Sequence, residues 1–191
     1  MILSFTKDLA SIFALDLKAS KSEVFSVTPA LDDWIMSCLW EREEHLGLIL
    51  VHKHSLFSMV VVSEVKELLY CLDLFYEQFL NLLTEINLNE KKYFDFIDNL
   101  FQNINAIKND DKTTAHQIKF IYDKLEIYEQ QAKKNKSKLH SIDISRKIND
   151  TPRTKLNFAS PNEIFADLLT KHYDDPVLDI QHFEETPTTL H

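Results

Sequence analysis

Between Trp34 and Val62 the chain is patterned as strands are, first by alternation and then by apolar runs with short polar breaks. In WIMSCLWERE, Trp34, Met36, Cys38 and Trp40 fall on one face of an extended chain, and Ile35, Ser37, Leu39 and Glu41 on the other. After the charged turn Arg42 to Glu44 come LGLILVHKH and SLFSMVVV, two runs rich in Leu, Ile, Val and Phe, with short polar breaks at His45 and at His52 to Ser55. Joins of that length reverse a strand but cannot carry a parallel crossover, so the three runs predict an antiparallel meander. Met1 to Phe5 reads as a further short strand.

Elsewhere the repeat is helical. Thr6 has the chemistry of an N-cap for DLASIFAL, in which Leu9, Ile12 and Phe13 keep helical spacing; the polar segment Lys18 to Ser26 and Thr28-Pro29 then lead into the meander. Ser63 is placed to cap a helix over VKELLYCLDLFYEQFLNLLTEI. Its Leu68, Leu69, Leu72, Phe75, Phe79, Leu82 and Leu83 occupy more than half the circumference, which predicts a helix covered on two sides. Two more helices are expected, over Glu90 to Lys108 and Thr113 to Lys134, with a turn at Asn109 to Lys112. Ile142 to Ile148 reads as a short helix or turn ended by Thr151-Pro152, and Ser160-Pro161 with Glu163 opens a last helix.

Strands come together and helices follow, so the fold class is α+β: a small antiparallel β meander packed against several α-helices. Residues 1–172 are expected to form a single domain, and residues 173–191 an acidic, loosely held tail containing Asp174, Asp175, Glu184 and Glu185.

Composition removes several functions. The single glycine of 191 residues, Gly47, argues against a phosphate-cradling loop, which needs several glycines for close backbone approach. A net charge of -9, from 30 acidic against 21 basic side chains, repels a polyanion at long range, so nucleic acid is not the expected partner. Cys38 and Cys71 both lie in apolar runs and read as buried free thiols of a reducing compartment. The N-terminus lacks the features of a signal peptide, and no apolar run reaches the ~20 residues of a membrane span, which points to the cytoplasm.

The sharpest candidate for chemistry is His52-Lys53-His54. In a continuing strand the two imidazoles share a face, ~7 Å apart along the chain, and could ligate one metal with Glu41 or Glu44 as third ligand. The simpler reading is a polar turn between two strands. Neither cysteine carries a nucleophile signature, and apolar surroundings raise a thiol pKa. The carboxylates Glu41, Glu43, Glu44, Asp32-Asp33 and Asp110-Asp111 read as solvated turns. Lys133, Lys134, Lys136 and Lys138, continued by Arg146, Lys147, Arg153 and Lys155, make one basic shoulder on an acidic body, without the interleaved aromatics of a nucleic-acid groove. The aromatics of the helical half, among them Phe75, Tyr76, Tyr93 and Phe101, fill a core and leave room for an exposed apolar groove.

Three stretches resemble a known family: SFTKDLA, a short strand then Thr-Lys and a helix; WIMSCLWEREEHLGLILVHKHSLFSMVV, a Trp-led strand followed by two hydrophobic strands; and ISRKINDTPRTKLNFASPNEIFADLL, with its Leu-Asn, Pro-x-Glu and Leu-Leu pattern. They resemble an uncharacterised bacterial family described only as a domain of unknown function and often carried on plasmids and other mobile elements. The resemblance implies the architecture and that origin, and no catalytic residue.

These features together predict a non-enzymatic protein that binds another protein, as an accessory or inhibitor of a bacterium or its mobile element, counter-defence being one such task. No cofactor is expected; a homodimer is a further arrangement. Trp34, Trp40, Lys134, Lys136 and Lys138 are the expected partner-binding residues. The alternatives are a metal-dependent enzyme using His52 and His54, and a nucleic-acid-associated protein using the basic region 133–155.

Overall fold

The computed structural model describes residues 1–17, 29–42, 44–109 and 112–174. The polar segment Lys18 to Ser26 with Thr28, the residues Glu43, Asp110 and Asp111, and the tail from residue 175 lie outside the described residues.

The meander forms where alternation places it, as β2 (Asp33–Glu41), β3 (Leu46–His52) and β4 (Ser58–Ser63), antiparallel throughout. It is part of a larger mixed sheet. β1 (Ile2–Phe5) pairs parallel with β2 on one side and parallel with β5 (Asn105–Lys108) on the other, giving the order β4-β3-β2-β1-β5. The architecture is α+β as expected, and the meander is one flank of the sheet rather than the whole of it.

β5 corrects the reading of Glu90 to Lys108 as one helix. The helix α4 stops at Gln102 (Lys91–Gln102), and Asn103 leaves the helical region at φ -117° and ψ 66°. The next residues gain backbone bonds to β1 instead: Asn105 N–H donates to Met1 C=O at 2.7 Å and Asn109 N–H to Phe5 C=O at 2.9 Å. The apolar spacing of Ile104 and Ile107 is compatible with either state, and tertiary pairing decides between them.

Helices cover both faces of the sheet. On one face lie α1 (Lys7–Ile12), the short α2 (Pro29–Asp32), α3 (Leu68–Glu85), α4 and α7 (Pro161–Asp174), packed on Leu3, Phe5, Trp34, Met36, Leu48 and Leu50. On the other lie α5 (Lys112–Lys134) and α6 (Ser141–Asn149), packed on Leu39, Ile49, Val51 and Val60. A strand buried on both faces needs no polar side. That accounts for the unbroken run LGLILV in β3, every residue of which is buried.

The strict alternation expected in β2 fails at its end. Cys38 pairs with Leu48 and Trp40 with Gly47, so Leu39 is an inserted residue and the strand bulges. The bulge turns Trp40 away from the face of Trp34 and Met36 and onto the α5–α6 face beside Leu39. It also accounts for the only glycine. A Cβ at Gly47 would stand 2.3 Å from Cε2 of the Trp40 indole, well inside van der Waals contact. Gly47→Ala is expected to cost ~1–3 kcal/mol by displacing that indole, read as a lower urea midpoint with an unchanged slope.

Two helix starts differ in quality. Ser63 does not cap α3: it ends β4, its Oγ accepts from Val65 N–H at 3.1 Å, and the helix begins only after Glu67, which makes no capping bond. Ser160 does cap α7. Its Oγ accepts from Glu163 N–H at 3.2 Å, and Glu163 Oε2 accepts from Ser160 N–H at 2.7 Å, a reciprocal capping box. Ser160→Ala is expected to cost ~1 kcal/mol. The bond from Ser160 N–H holds the Glu163 carboxyl below its ordinary pKa. Its contribution is therefore full above the unfolded carboxylate pKa and fades as pH falls through the lowered folded value; thermal melts of Glu163→Ala, which removes the accepting carboxylate, and the parent across acidic pH check this, the gap between them closing as pH falls.

Candidate functional site

The least expected surface is on α3. Around a helix at about 100° per residue, Leu69 stands about 120° from Phe75, the centre of the buried stripe, and about 20° from Tyr76. The sequence placed Leu69 in the stripe; it is 76% exposed. The core face holds Cys71, Leu72, Phe75, Gln78, Phe79, Leu82 and Leu83. Leu69 instead overhangs a hollow of about 410 Å³ between α3 and α4. Leu72, Tyr76, Phe101 and Ile104 supply its apolar walls, and Asp73 and Asp98 its carboxylates; among the described residues no Lys or Arg lines it. Tyr76 Oη donates to Asp98 Oδ1 at 2.6 Å, and its ring meets Phe101 edge-on at 5.6 Å, which fixes one wall. Hydrogen bonding to Asp98 raises the Tyr76 phenol above its ordinary pKa, so the hydroxyl stays a donor. Val65 and Tyr70, close in sequence to Leu69, are exposed as well.

A larger cleft of about 510 Å³ opens where α3 and α6 meet the outer edge of β4. Its Gln78 and Arg146 are already engaged. Gln78 Nε2 donates to Val60 C=O at 2.9 Å and to Ser145 Oγ at 2.8 Å, and Arg146 donates a fork of bonds to Glu85 and a further bond to Asp143.

The residues singled out from sequence fall into three places. His52 ends β3 and its ring is buried among aromatics, 4.9 Å from Trp34 and 5.4 Å from Phe165. Its Nδ1 receives Ser55 N–H at 3.2 Å and lies 2.7 Å from Ser55 Oγ, which puts the ring proton on Nε2. His54 is exposed on the turn, the two ring centres 5.7 Å apart. Glu41 and Glu44 lie at the far end of the β2–β3 pair, about 20 Å away at 3.3 Å per residue; Glu41 there bonds Lys66 at 2.6 Å. Among the described residues no group of three His, Cys, Asp or Glu could hold a metal ion.

Trp34, expected to touch a partner, is fully buried and donates its indole N–H to Leu31 C=O at 2.9 Å. The face of the meander away from α3 is covered by α5 and α6. Trp40 is half-buried there, with the Arg42 guanidinium 5.0 Å from its ring. Lys134, Lys136 and Lys138 are exposed at the end of α5. Their shoulder contains fewer available cations than its sequence suggests. Arg146 is engaged by Glu85 and Asp143, and the buried Arg153 lies 3.7 Å over the Phe120 ring, its pKa lowered to about 10 by burial.

Both cysteines are free thiols; Cys71 is buried and Cys38 half-buried. Burial raises both pKa values, helped at Cys38 by Glu41 and Asp8 and opposed at Cys71 by a bond from Ser63. Neither is an activated nucleophile.

Residues 2–164 match the family model described as Domain of unknown function (DUF6933). The chain belongs to the DUF6933 family. The DUF6933 span takes in all five strands and runs into the first turn of α7, so the α3–α4 hollow lies wholly inside it. No curated protein and no solved structure matches the chain. Among the described residues no helix is long and apolar enough to cross a membrane.

Proposed function

We propose that this DUF6933 protein is a non-enzymatic binding protein, working in the cytoplasm as an accessory or inhibitor of a bacterium or its mobile element, and that the α3–α4 hollow is where it grips another protein. The observation that carries the reading is Leu69: a leucine 76% exposed at the mouth of an apolar hollow is a poor arrangement for a surface that meets only water. The two carboxylates, with no Lys or Arg among the described residues lining the hollow beside them, specify the occupant further. A segment that brings apolar side chains together with Lys or Arg would bury its apolar part against Leu72, Tyr76 and Phe101 and place its cation at Asp73 and Asp98. The raised cysteine thiols and the engaged Nδ1 of His52 favour binding over catalysis.

The test compares baits of equal thermal stability in the source cell's extract. Leu69→Asp is expected to lose a defined protein that the parent retains, while Lys91→Glu, on the exposed face of α4, keeps it. With that partner purified, Asp73→Asn is expected to weaken binding about tenfold, or about 1.4 kcal/mol. An identical set of captured proteins on parent and Leu69→Asp would contradict the proposal.

A further inference from the structure

The chain carries on its own surface a segment with the chemistry the hollow calls for. Between α6 and α7, Asn157 and Phe158 both adopt left-handed backbone, at φ 53° and 65°. An aromatic residue rarely takes that conformation. The loop nevertheless has a defined base: Phe158 N–H donates to Arg153 C=O at 2.9 Å, Arg153 N–H to Ala159 C=O at 3.0 Å, and Ala159 N–H to Leu156 C=O at 3.0 Å. The Arg153 side chain is clamped over Phe120 of α5, and the capping box of α7 follows at Ser160. The outcome is a tied loop that holds Phe158 out into water, 73% exposed, with the exposed Lys155 three residues before it. Backbone strain that presents an apolar side chain to solvent is intelligible when a partner covers that side chain.

We infer that the Phe158 loop of one molecule inserts into the α3–α4 hollow of a second copy, Phe158 entering between Leu72, Tyr76 and Phe101 and Lys155 meeting Asp73 and Asp98. This rests on the docking role given to the hollow above and names an occupant for it. Complementarity of both kinds supports the match: one protruding ring for a hollow of about 410 Å³, and one cation for two carboxylates beside which no Lys or Arg among the described residues lines the hollow. The two halves lie apart on the molecule. The base of the loop rests on α5, which covers one face of the sheet, and the hollow opens between α3 and α4 on the other. A contact that uses different patches on the two molecules is head-to-tail, and association continues beyond two copies unless a ring closes. With so small an interface it is weak, in a range of roughly tens to hundreds of micromolar. A partner protein taking the same hollow displaces it.

Sedimentation velocity on the full chain over that range tests the inference. The parent is expected to gain mass with concentration, and Phe158→Ser and Leu69→Asp each to stay monomeric. Their equimolar mixture is expected to stop at a 1:1 dimer, because one supplies only the hollow and the other only the loop. Lys155→Glu, at an exposed site that leaves the fold alone, is expected to weaken association at least fivefold. A parent monomeric throughout, a Phe158→Ser protein that associates like the parent, or a mixture that does not pair would each overturn it. If Phe158→Ser behaves like the parent while Leu69→Asp still loses its captured partner, the hollow binds another protein and the inference of a second copy alone fails.

Discussion

Phe165→Ala is expected to lower stability by about 3–5 kcal/mol, the range for truncating a fully buried aromatic ring. Phe165 is the residue by which α7 enters the core. Its ring is inaccessible to solvent and stands 4.6 Å from Phe57, 5.4 Å from His52, 5.6 Å from Phe79 and 5.9 Å from Trp34. Those four come from β2, β3, the β3–β4 turn and α3, so the cavity left by alanine opens where the elements converge and no single side chain can close it. Urea unfolding followed by the fluorescence of Trp34 and Trp40 measures the loss directly. A change below about 1 kcal/mol would mean that this aromatic cluster is not the packed centre described.

Asn149→Leu is expected to cost about 2–4 kcal/mol for a different reason, by leaving two buried backbone groups of β4 without partners. β4 is the outer strand of the sheet, and a bare strand edge offers hydrogen bonds to any other chain. Here side chains close it. Asn149 Oδ1 accepts from Ser58 N–H at 2.8 Å while Asn149 Nδ2 donates to Ser58 C=O at 2.9 Å, so the amide stands in for a neighbouring strand. Ser145 Oγ accepts from Val60 N–H at 2.9 Å, and Gln78 Nε2 donates to Val60 C=O. Leucine keeps the four-atom branched outline of asparagine while removing both hydrogen-bonding groups, so no cavity is left and its bulkier methyl groups add only to the cost. The variant is expected to unfold at lower urea and to aggregate at lower concentration than the parent, measured by light scattering. Unchanged stability would mean that water replaces the amide at this edge.

The order of elements and most of their limits could be read from spacing, because α7 and the strands of the meander are set off by punctuation at both ends, while the stretch that forms α6 read equally as a helix or a turn. Where two structures fit one pattern, the sequence could not choose. Asn105 to Lys108 continues a helical spacing, and only the backbone of β1 makes it a strand. The bulge at Leu39 was equally silent, although Gly47 was visible as an isolated glycine in an apolar run; its partner, the Trp40 indole, is supplied by strand pairing. The closure of β4 by Asn149, Ser145 and Gln78 joins residues up to 91 apart and leaves no local signal.

The candidate site was legible in part. That α3 had more apolar surface than one face can bury was plain, as was the surplus of aromatics. Which residue would be left outside was not, because Leu68, Leu69 and Leu72 look alike until the core face is fixed by Phe75 and Phe79. Trp34 was misplaced for the converse reason: a large residue at the head of a strand reads equally as an anchor for a partner or for the core, and the aromatics from α3 and α7 that enclose it are distant in sequence.

The most direct test of the docking surface is site-specific photo-crosslinking in the source cell, with a benzophenone side chain placed at position 69 and, for comparison, at position 91. Crosslinking from 69 to a protein of one defined mass, lost when Asp73 and Asp98 are both changed to Asn, is the expected result; position 91 should give none. The mass of the adduct distinguishes a second copy of this chain from another protein. No adduct from 69, or the same adducts from both positions, would contradict the account.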